Sequence, residues 1–283
     1  MKPSRVTDLS RRAMLCRTAV ASGLGGIFAM TASGQQGTSG RVPTGGPGAP
    51  ALPGAGRRAS VHYGPINKFS APSPAEEQIY FVEEGNGTLL YGDEKAPVKK
   101  NDFMYLPIGV RHGIANSSNA PVKAIVMGYK IPAGMKVQPT PKLMLASADD
   151  VQLQILGQHG PTAQFKLLMD PTNSQRDKLA AAYVMDSLFI MDFAPGGTNI
   201  PHNHPSEEEI YLLLRGSGDM VAGLDADGKE ARHAVIEGAA FLFKPGTQVG
   251  YYSNAKEGQP HDLMLAVRSR VAGMSMGPGG RQQ

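Results

Sequence analysis

The chain has no tryptophan and a single cysteine, Cys16. Cys16 falls in a segment read below as removable, so what remains has no thiol. Disulfide frameworks and thiolate catalysis are thereby excluded. Net charge is small as well, because the formal excess of +4 comes largely from Arg5, Arg11, Arg12 and Arg17 near the start and from Arg57, Arg58 and Arg281 near the expected domain edges. The folded part is close to neutral and carries no basic stripe interleaved with aromatics, which argues against a nucleic-acid partner. What is plentiful is Gly, with 35 residues, and Pro, with 22. Together with the absence of Trp this points to short strands and many turns, hence an all-β architecture. At 283 residues the chain has room for two ordinary domains once its ends are set aside.

Near the start, Ser10-Arg11-Arg12-Ala13-Met14-Leu15 precedes a weakly apolar, Gly- and Ala-rich run from Thr18 to Ala32, the layout of a secretory signal. It resembles a twin-arginine export signal, with Met14 for the usual aromatic and Cys16 for the frequent Lys. The resemblance implies an exported protein, periplasmic or extracellular, cleaved near Ala32 or Ser33. The same run is too short and too rich in glycine to serve as a membrane span, so no stable span is expected after cleavage. Residues 33–58 are mostly Gly, Pro, Ser, Gln and Ala, a composition that buries too little apolar surface to offset the entropy of ordering. A flexible linker is expected there, and a flexible tail over 271–283.

Between these ends the chain repeats itself. The segment Glu77-Gln78-Ile79-Tyr80-Phe81-Val82-Glu83-Glu84-Gly85-Asn86-Gly87 parallels Glu208-Glu209-Ile210-Tyr211-Leu212-Leu213-Leu214-Arg215-Gly216-Ser217-Gly218. Each reads as a strand entering a Gly-x-Gly turn. Downstream, Asp102-Phe103-Met104-Tyr105-Leu106-Pro107 parallels Ala240-Phe241-Leu242-Phe243-Lys244-Pro245, and Asn116 and Asn254 each follow that proline by nine residues. Two copies of one β-unit are expected. Between them, Ser147-Ala148-Asp149-Asp150 reads as a helix start with Ser147 as the cap. Strands opening the second unit are expected around Gln164 to Met169, before a polar loop from Asp170 to Lys178.

His202 and His204 are two apart, so on extended backbone both imidazoles share one face and can chelate one ion. Glu209 lies just beyond the Pro205-to-Glu208 turn and adds a carboxylate oxygen. Two His and one carboxylate suit a divalent Fe, Mn, Zn, Ni or Cu ion and leave coordination positions open. The bland alternative is a pair of exposed loop histidines beside a solvated cluster of Glu207, Glu208 and Glu209. Against it stands the apolar run Ile210-Tyr211-Leu212-Leu213-Leu214, which places Glu209 at the mouth of a buried strand. Glu208 falls on the opposite face. Tyr211 and Leu213 share the Glu209 face and are expected to point inward, with Tyr211 able to bond a ligand or the carboxylate, while Ile210, Leu212 and Leu214 lie on the opposite face and are expected to pack against the other repeat or another subunit.

The repeats resemble the cupin superfamily. Its first motif is matched by Gly196, His202, His204, Glu209 and Gly216. The resemblance implies two tandem cupin-type β-barrels, each a double-stranded β-helix or jelly roll, with one divalent metal per chain in the second. The division is signal peptide 1–32, linker 33–58, degenerate N-terminal barrel 59–133, connector 134–163, metal-binding C-terminal barrel 164–270 and tail 271–283. In the family's second motif the usual histidine position is occupied here by Gly250, so the fourth ligand is missing. Gln248 is a possible additional ligand, with His233 and His261 as more distant candidates, and for each of the three a place on the surface or behind the ligands is the preferred reading. In the first barrel Pro107, Gly109, His112 and Asn116 keep the second motif, but Ala71, Ser73 and Gln78 stand where the metal ligands belong, so no metal is expected there.

The function implied is a metal-dependent enzyme acting on a small organic molecule, with an oxidoreductase of the dioxygenase type preferred over a decarboxylase, isomerase or lyase. A non-catalytic small-molecule or metal binder and an assembly module remain open, as does a homo-oligomer. No second acid, base or nucleophile accompanies the three ligands by spacing, although His159, His233, Tyr251 and Tyr252 can enter the pocket. The catalytic residues are unknown.

Overall fold

A computed structural model describes residues 25–32, 76–116, 120–137 and 143–270. Its first half holds β1 (Gly25–Ala32), β2 (Glu76–Glu84), β3 (Asn86–Tyr91), β4 (Glu94–Lys99), β5 (Asp102–Leu106), β6 (His112–Ala115), β7 (Val122–Lys130) and β8 (Met144–Ser147). Its second half holds β9 (Ala163–Pro171), β10 (Leu179–Ala182), β11 (Met185–Phe193), β12 (His202–Asn203), β13 (Glu207–Arg215), β14 (Ser217–Leu224), β15 (Glu230–Ile236), β16 (Ala240–Phe243), β17 (Gln248–Ser253) and β18 (Asp262–Arg270). No α-helix occurs among the described residues, and none of their helices is long and apolar enough to cross a membrane.

Each half is a pair of sheets. The first has the orders β1-β7-β2-β5-β8 and β4-β3-β6; the second has β10-β9-β11-β18-β13-β16 and β12-β17-β14-β15. The run β7-β2-β5 recurs as β18-β13-β16, and β4-β3-β6 recurs as β15-β14-β17. The sequence repeat is therefore a repeat of topology, and the chain is all-β with two tandem jelly-roll barrels.

Alternation along the central strands separates three apolar clusters. On β2, Tyr80 and Val82 pack inside the first barrel with Leu89 and Ile114. On β13, Tyr211 and Leu213 pack inside the second with Phe243 and Met264. The opposite faces carry Ile79 and Phe81 from one barrel and Ile210, Leu265 and Val267 from the other into a single shared cluster, with Leu212 and Leu214 packed against it. The outward apolar residues thus join the barrels to each other, each fully buried one contributing about 1.5–3 kcal/mol.

Glu77 sits in this shared layer with no solvent exposure. Its carboxylate accepts N–H bonds from Tyr183 (2.9 Å), Val184 (2.8 Å) and Met185 (2.9 Å), which enter β11 of the other barrel, and an O–H bond from Tyr105 at 2.9 Å. Burial pushes this carboxyl up, and the four donors pull against that. A carboxylate so enclosed ties the segment before β11 to β2 across the barrel junction.

Some expectations change. Ser147 caps no helix: Ala148–Asp150 form one 3₁₀ turn, and the Ser147 side chain makes no capping bond. The reason lies before it, since Met144–Ser147 pair with β5 and carry the connector onto the first barrel's sheet. Most of the expected signal, the linker and the tail lie outside the described residues, while Gly25–Ala32 pair along β7. The strand expected around Gln164 to Met169 is β9.

Replacing Glu77 by Ala removes the acceptor of two buried N–H groups, of a third that is partly buried and of one phenol. We expect Glu77→Ala to lower unfolding stability by about 3 kcal/mol or more, read from urea denaturation midpoints against wild type.

Candidate metal centre

The site is assembled where the chain leaves β11 and enters the second barrel's smaller sheet. His202 pairs with Val249 and Asn203 with Gln248 in the β12–β17 ladder. The extended backbone brings His202 Nε2 and His204 Nε2 to 3.1 Å. Glu209 enters from β13, its Oε2 3.4 Å from His204 Nε2. Ligand atoms of His202, His204 and Glu209 all lie within 4.8 Å of one another, the one such group among the described residues.

The segment before His202 is pinned from several sides. Asn199 is fully buried, and its amide donates to Tyr211 Oη at 3.2 Å while its Oδ1 accepts the Tyr251 N–H at 2.9 Å. Ile200 follows with φ of 50°, a left-handed conformation that a β-branched residue adopts only under constraint. Thr198 Oγ1 holds it by accepting the Ile200 N–H at 3.2 Å. The strained residue turns its carbonyl onto His202 Nδ1 at 2.9 Å. A carbonyl can only accept, so Nδ1 carries the proton and the neutral ring keeps its lone pair on Nε2, toward the cluster.

Glu209 is 2% exposed, yet no donor reaches its Oε2; the approach of His204 lacks hydrogen-bond geometry. Burial alone would raise this carboxyl, but His204, Arg268 and His202 outweigh it and hold the group below its ordinary range. Burial likewise lowers His202. A buried anionic oxygen without a donor, facing two imidazole nitrogens, fits a cation with mixed N/O preference.

The cluster opens into a cavity of about 320 Å³, including its mouth, whose walls include His159, Arg176, Phe189, Tyr211 and Arg268. Arg268 is opposite Glu209 in the β13–β18 pairing. Its guanidinium lies 5.7 Å from the Phe189 ring centre and 3.9 Å from Glu207, and its buried Nε has no partner. Arg176 is held by Asp177 at 2.6 Å and by Ser187 at 2.9 Å. His159 is lowered to about 4, first by burial and then by His202. Neither arginine had a spacing signal in the sequence, because both arrive through strand pairing and loop closure.

Other candidates are distributed differently. Tyr211 lines the cavity as expected and is bonded to Asn199. Gln248 stands opposite Asn203 and is not part of the cavity wall. His233 lies against Phe241, and His261 pairs with Asp192 at 2.5 Å, both away from the cavity. Tyr251 and Tyr252 are also turned away, their hydroxyls donating to Asp262 and Glu230. At Gly250 a Cβ would stand 2.8 Å from Pro201 Cγ and 3.1 Å from its Cα, so the position has no room for a side chain. In the first barrel His112 Nε2 meets the Gln78 side-chain amide at 2.8 Å and Nδ1 meets Val110 O at 2.8 Å. Two oxygens, Val110 O and Gln78 Oε1, face the ring, of which a neutral imidazole donates to one, and burial lowers this imidazole. Ala71 and Ser73 lie outside the described residues.

Fold and site together define a two-barrel protein with a cation-type cluster in one barrel. Family models agree in both halves: "Cupin domain" matches residues 62–128 and "Cupin" matches residues 172–259, together more than half of the chain. The chain belongs to the cupin superfamily as a tandem, two-barrel member. Among curated relatives it is similar to germin-like protein subfamily 2 member 4 of Arabidopsis thaliana, 31% identical over 36% of this chain and 46% of that protein. It is also similar to oxalate oxidase GF-2.8 of Triticum aestivum, 39% identical over 21% of this chain and 28% of that protein. These matches span less than half of either relative's length. Among solved structures, oxalate decarboxylase of Lactobacillus farciminis in a formate complex superposes with a TM-score of 0.53 at 11% identity, over 71% of this chain and 72% of that one, a likeness of fold.

Asn199→Ala removes the acceptor of the buried Tyr251 N–H and frees the segment that orients His202. Its expected cost is about 1–3 kcal/mol, checked by thermal and urea unfolding, with a lower affinity for divalent metal in titration of the same protein.

Proposed function

We propose that the chain is an exported enzyme with one divalent ion per molecule, held by His202, His204 and Glu209, acting on a small organic substrate in the second barrel. The observation that carries this reading is the buried Glu209 oxygen that no donor reaches, facing two imidazole nitrogens. When bound there, a divalent Fe, Mn, Zn, Ni or Cu ion supplies Lewis-acid or dioxygen chemistry at open coordination positions.

The chain's own groups shape what enters. Phe189, Met191 and Leu167 form apolar wall and limit water. Arg268 Nε, buried and unpartnered, offers a donor to a substrate oxygen across from Glu209. The names of the relatives make oxalate the first substrate to test, and an oxidoreductase of the dioxygenase type is the preferred class. No protein base is assigned. Export would follow from the twin-arginine-like segment, and removal up to Ala32 would also remove β1 from the edge of β7. Assembly of several copies is compatible with this reading.

The test is elemental mass spectrometry on wild type, His202→Ala and Glu209→Ala, followed by oxygen-consumption and carbon-dioxide assays on oxalate. One metal per chain in wild type, lost in both variants along with turnover, is the expected result. Absence of stoichiometric metal after anaerobic reconstitution with each of the five ions would overturn the reading; metal without turnover of any small acid would leave a binding protein.

A further inference from the structure

We propose that His159, carried by the connector between the barrels, is a fourth protein ligand of the ion at His202, His204 and Glu209. The inference rests on that reading of the site. Its first support is orientation. The successive carbonyls of Asn199 and Ile200 lie 3.3 Å from His159 Nδ1 and 2.9 Å from His202 Nδ1. Because a carbonyl only accepts, both neutral rings carry the proton on Nδ1 and a lone pair on Nε2. With Nδ1 of each ring committed to this stretch of backbone, each Nε2 is left to face away from it, and both rings line the same cavity.

The second support is spacing. Ring centres of His159 and His202 are 4.7 Å apart with planes at 78°, and those of His202 and His204 are 4.9 Å apart at 89°. An imidazole bound through a nitrogen at about 2.1 Å has its ring centre about 3.2 Å from the ion, so two rings whose bonds to the ion meet at about 90–110° have centres about 4.5–5.2 Å apart. Both observed pairs have the spacing of neighbours on one ion. His159 is not in the tight set whose ligand atoms keep within 4.8 Å of one another, so joining it needs the ring to move toward them. The ring comes from a tight turn, with the His159 N–H bonded to Leu156 O at 2.9 Å and Gly160 at φ 77°, and it rests against Phe165 at 4.7 Å. Meanwhile Pro201 fills the space a side chain at position 250 would need.

Electron paramagnetic resonance of the full chain loaded with one equivalent of Cu(II) counts the coupled imidazole nitrogens directly. Wild type should show three, and His159→Phe, which keeps a ring against Phe165, should show two with copper retained; His159→Asn serves as a second variant. Two nitrogens in wild type, or three in both variants, would overturn the His159 assignment and leave the three-ligand site standing. Wild type that binds no copper at His202 and His204 would overturn the site and this assignment together.

Discussion

A buried carboxylate with one oxygen that no donor reaches, inside the second barrel, is the constraint on which the rest of this structure depends. Glu209 is buried beside two imidazoles and one arginine, and His204 Nε2, 3.4 Å from its Oε2, approaches without hydrogen-bond geometry. The neighbouring His204, Arg268 and His202 outweigh the cost of burial and keep the group anionic, and its oxygen and the two imidazole nitrogens stand together as a set that a cation would complete. Asn199 and the strained Ile200 fix the backbone that aims His202, while β13 fixes Glu209 through its ladder with β18.

The first barrel shows the same frame with the constraint removed. At the position of Glu209 it has Gln78, a neutral amide whose Oε1 lies 2.8 Å from His112 Nε2, so that position carries no carboxylate charge. The two barrels also divide their labour in packing. Their inner faces fill separate cores, whereas the outer faces of β2, β7, β11, β13 and β18 share one apolar layer, in which Glu77 is tied to the backbone before β11. The first barrel therefore packs through this layer against the one that holds the cluster.

Much of this was legible in the sequence. The repeat at Glu77 and Glu208 placed the central strands, the alternation at Ile210 to Leu214 placed core and junction faces, and the His202, His204, Glu209 spacing placed the cluster. What escaped was whatever depends on distant strands meeting. Arg268 faces Glu209 only through the register of β13 with β18, and Asn199 acts through Tyr211 and Tyr251. His159 was one of several histidines able to enter the pocket, and nothing in its spacing distinguished it from His233. The helix expected after Ser147 failed because the preceding residues join a sheet edge, a tertiary pairing that local capping signals do not report.

The most direct test of the central claim is a crystal structure of metal-loaded protein with anomalous diffraction collected at the absorption edge of the bound element. The account predicts one anomalous peak within about 2.0–2.2 Å of His202 Nε2, His204 Nε2 and a Glu209 oxygen. A water or a protein donor completing Glu209 Oε2, with no anomalous peak there, would contradict it.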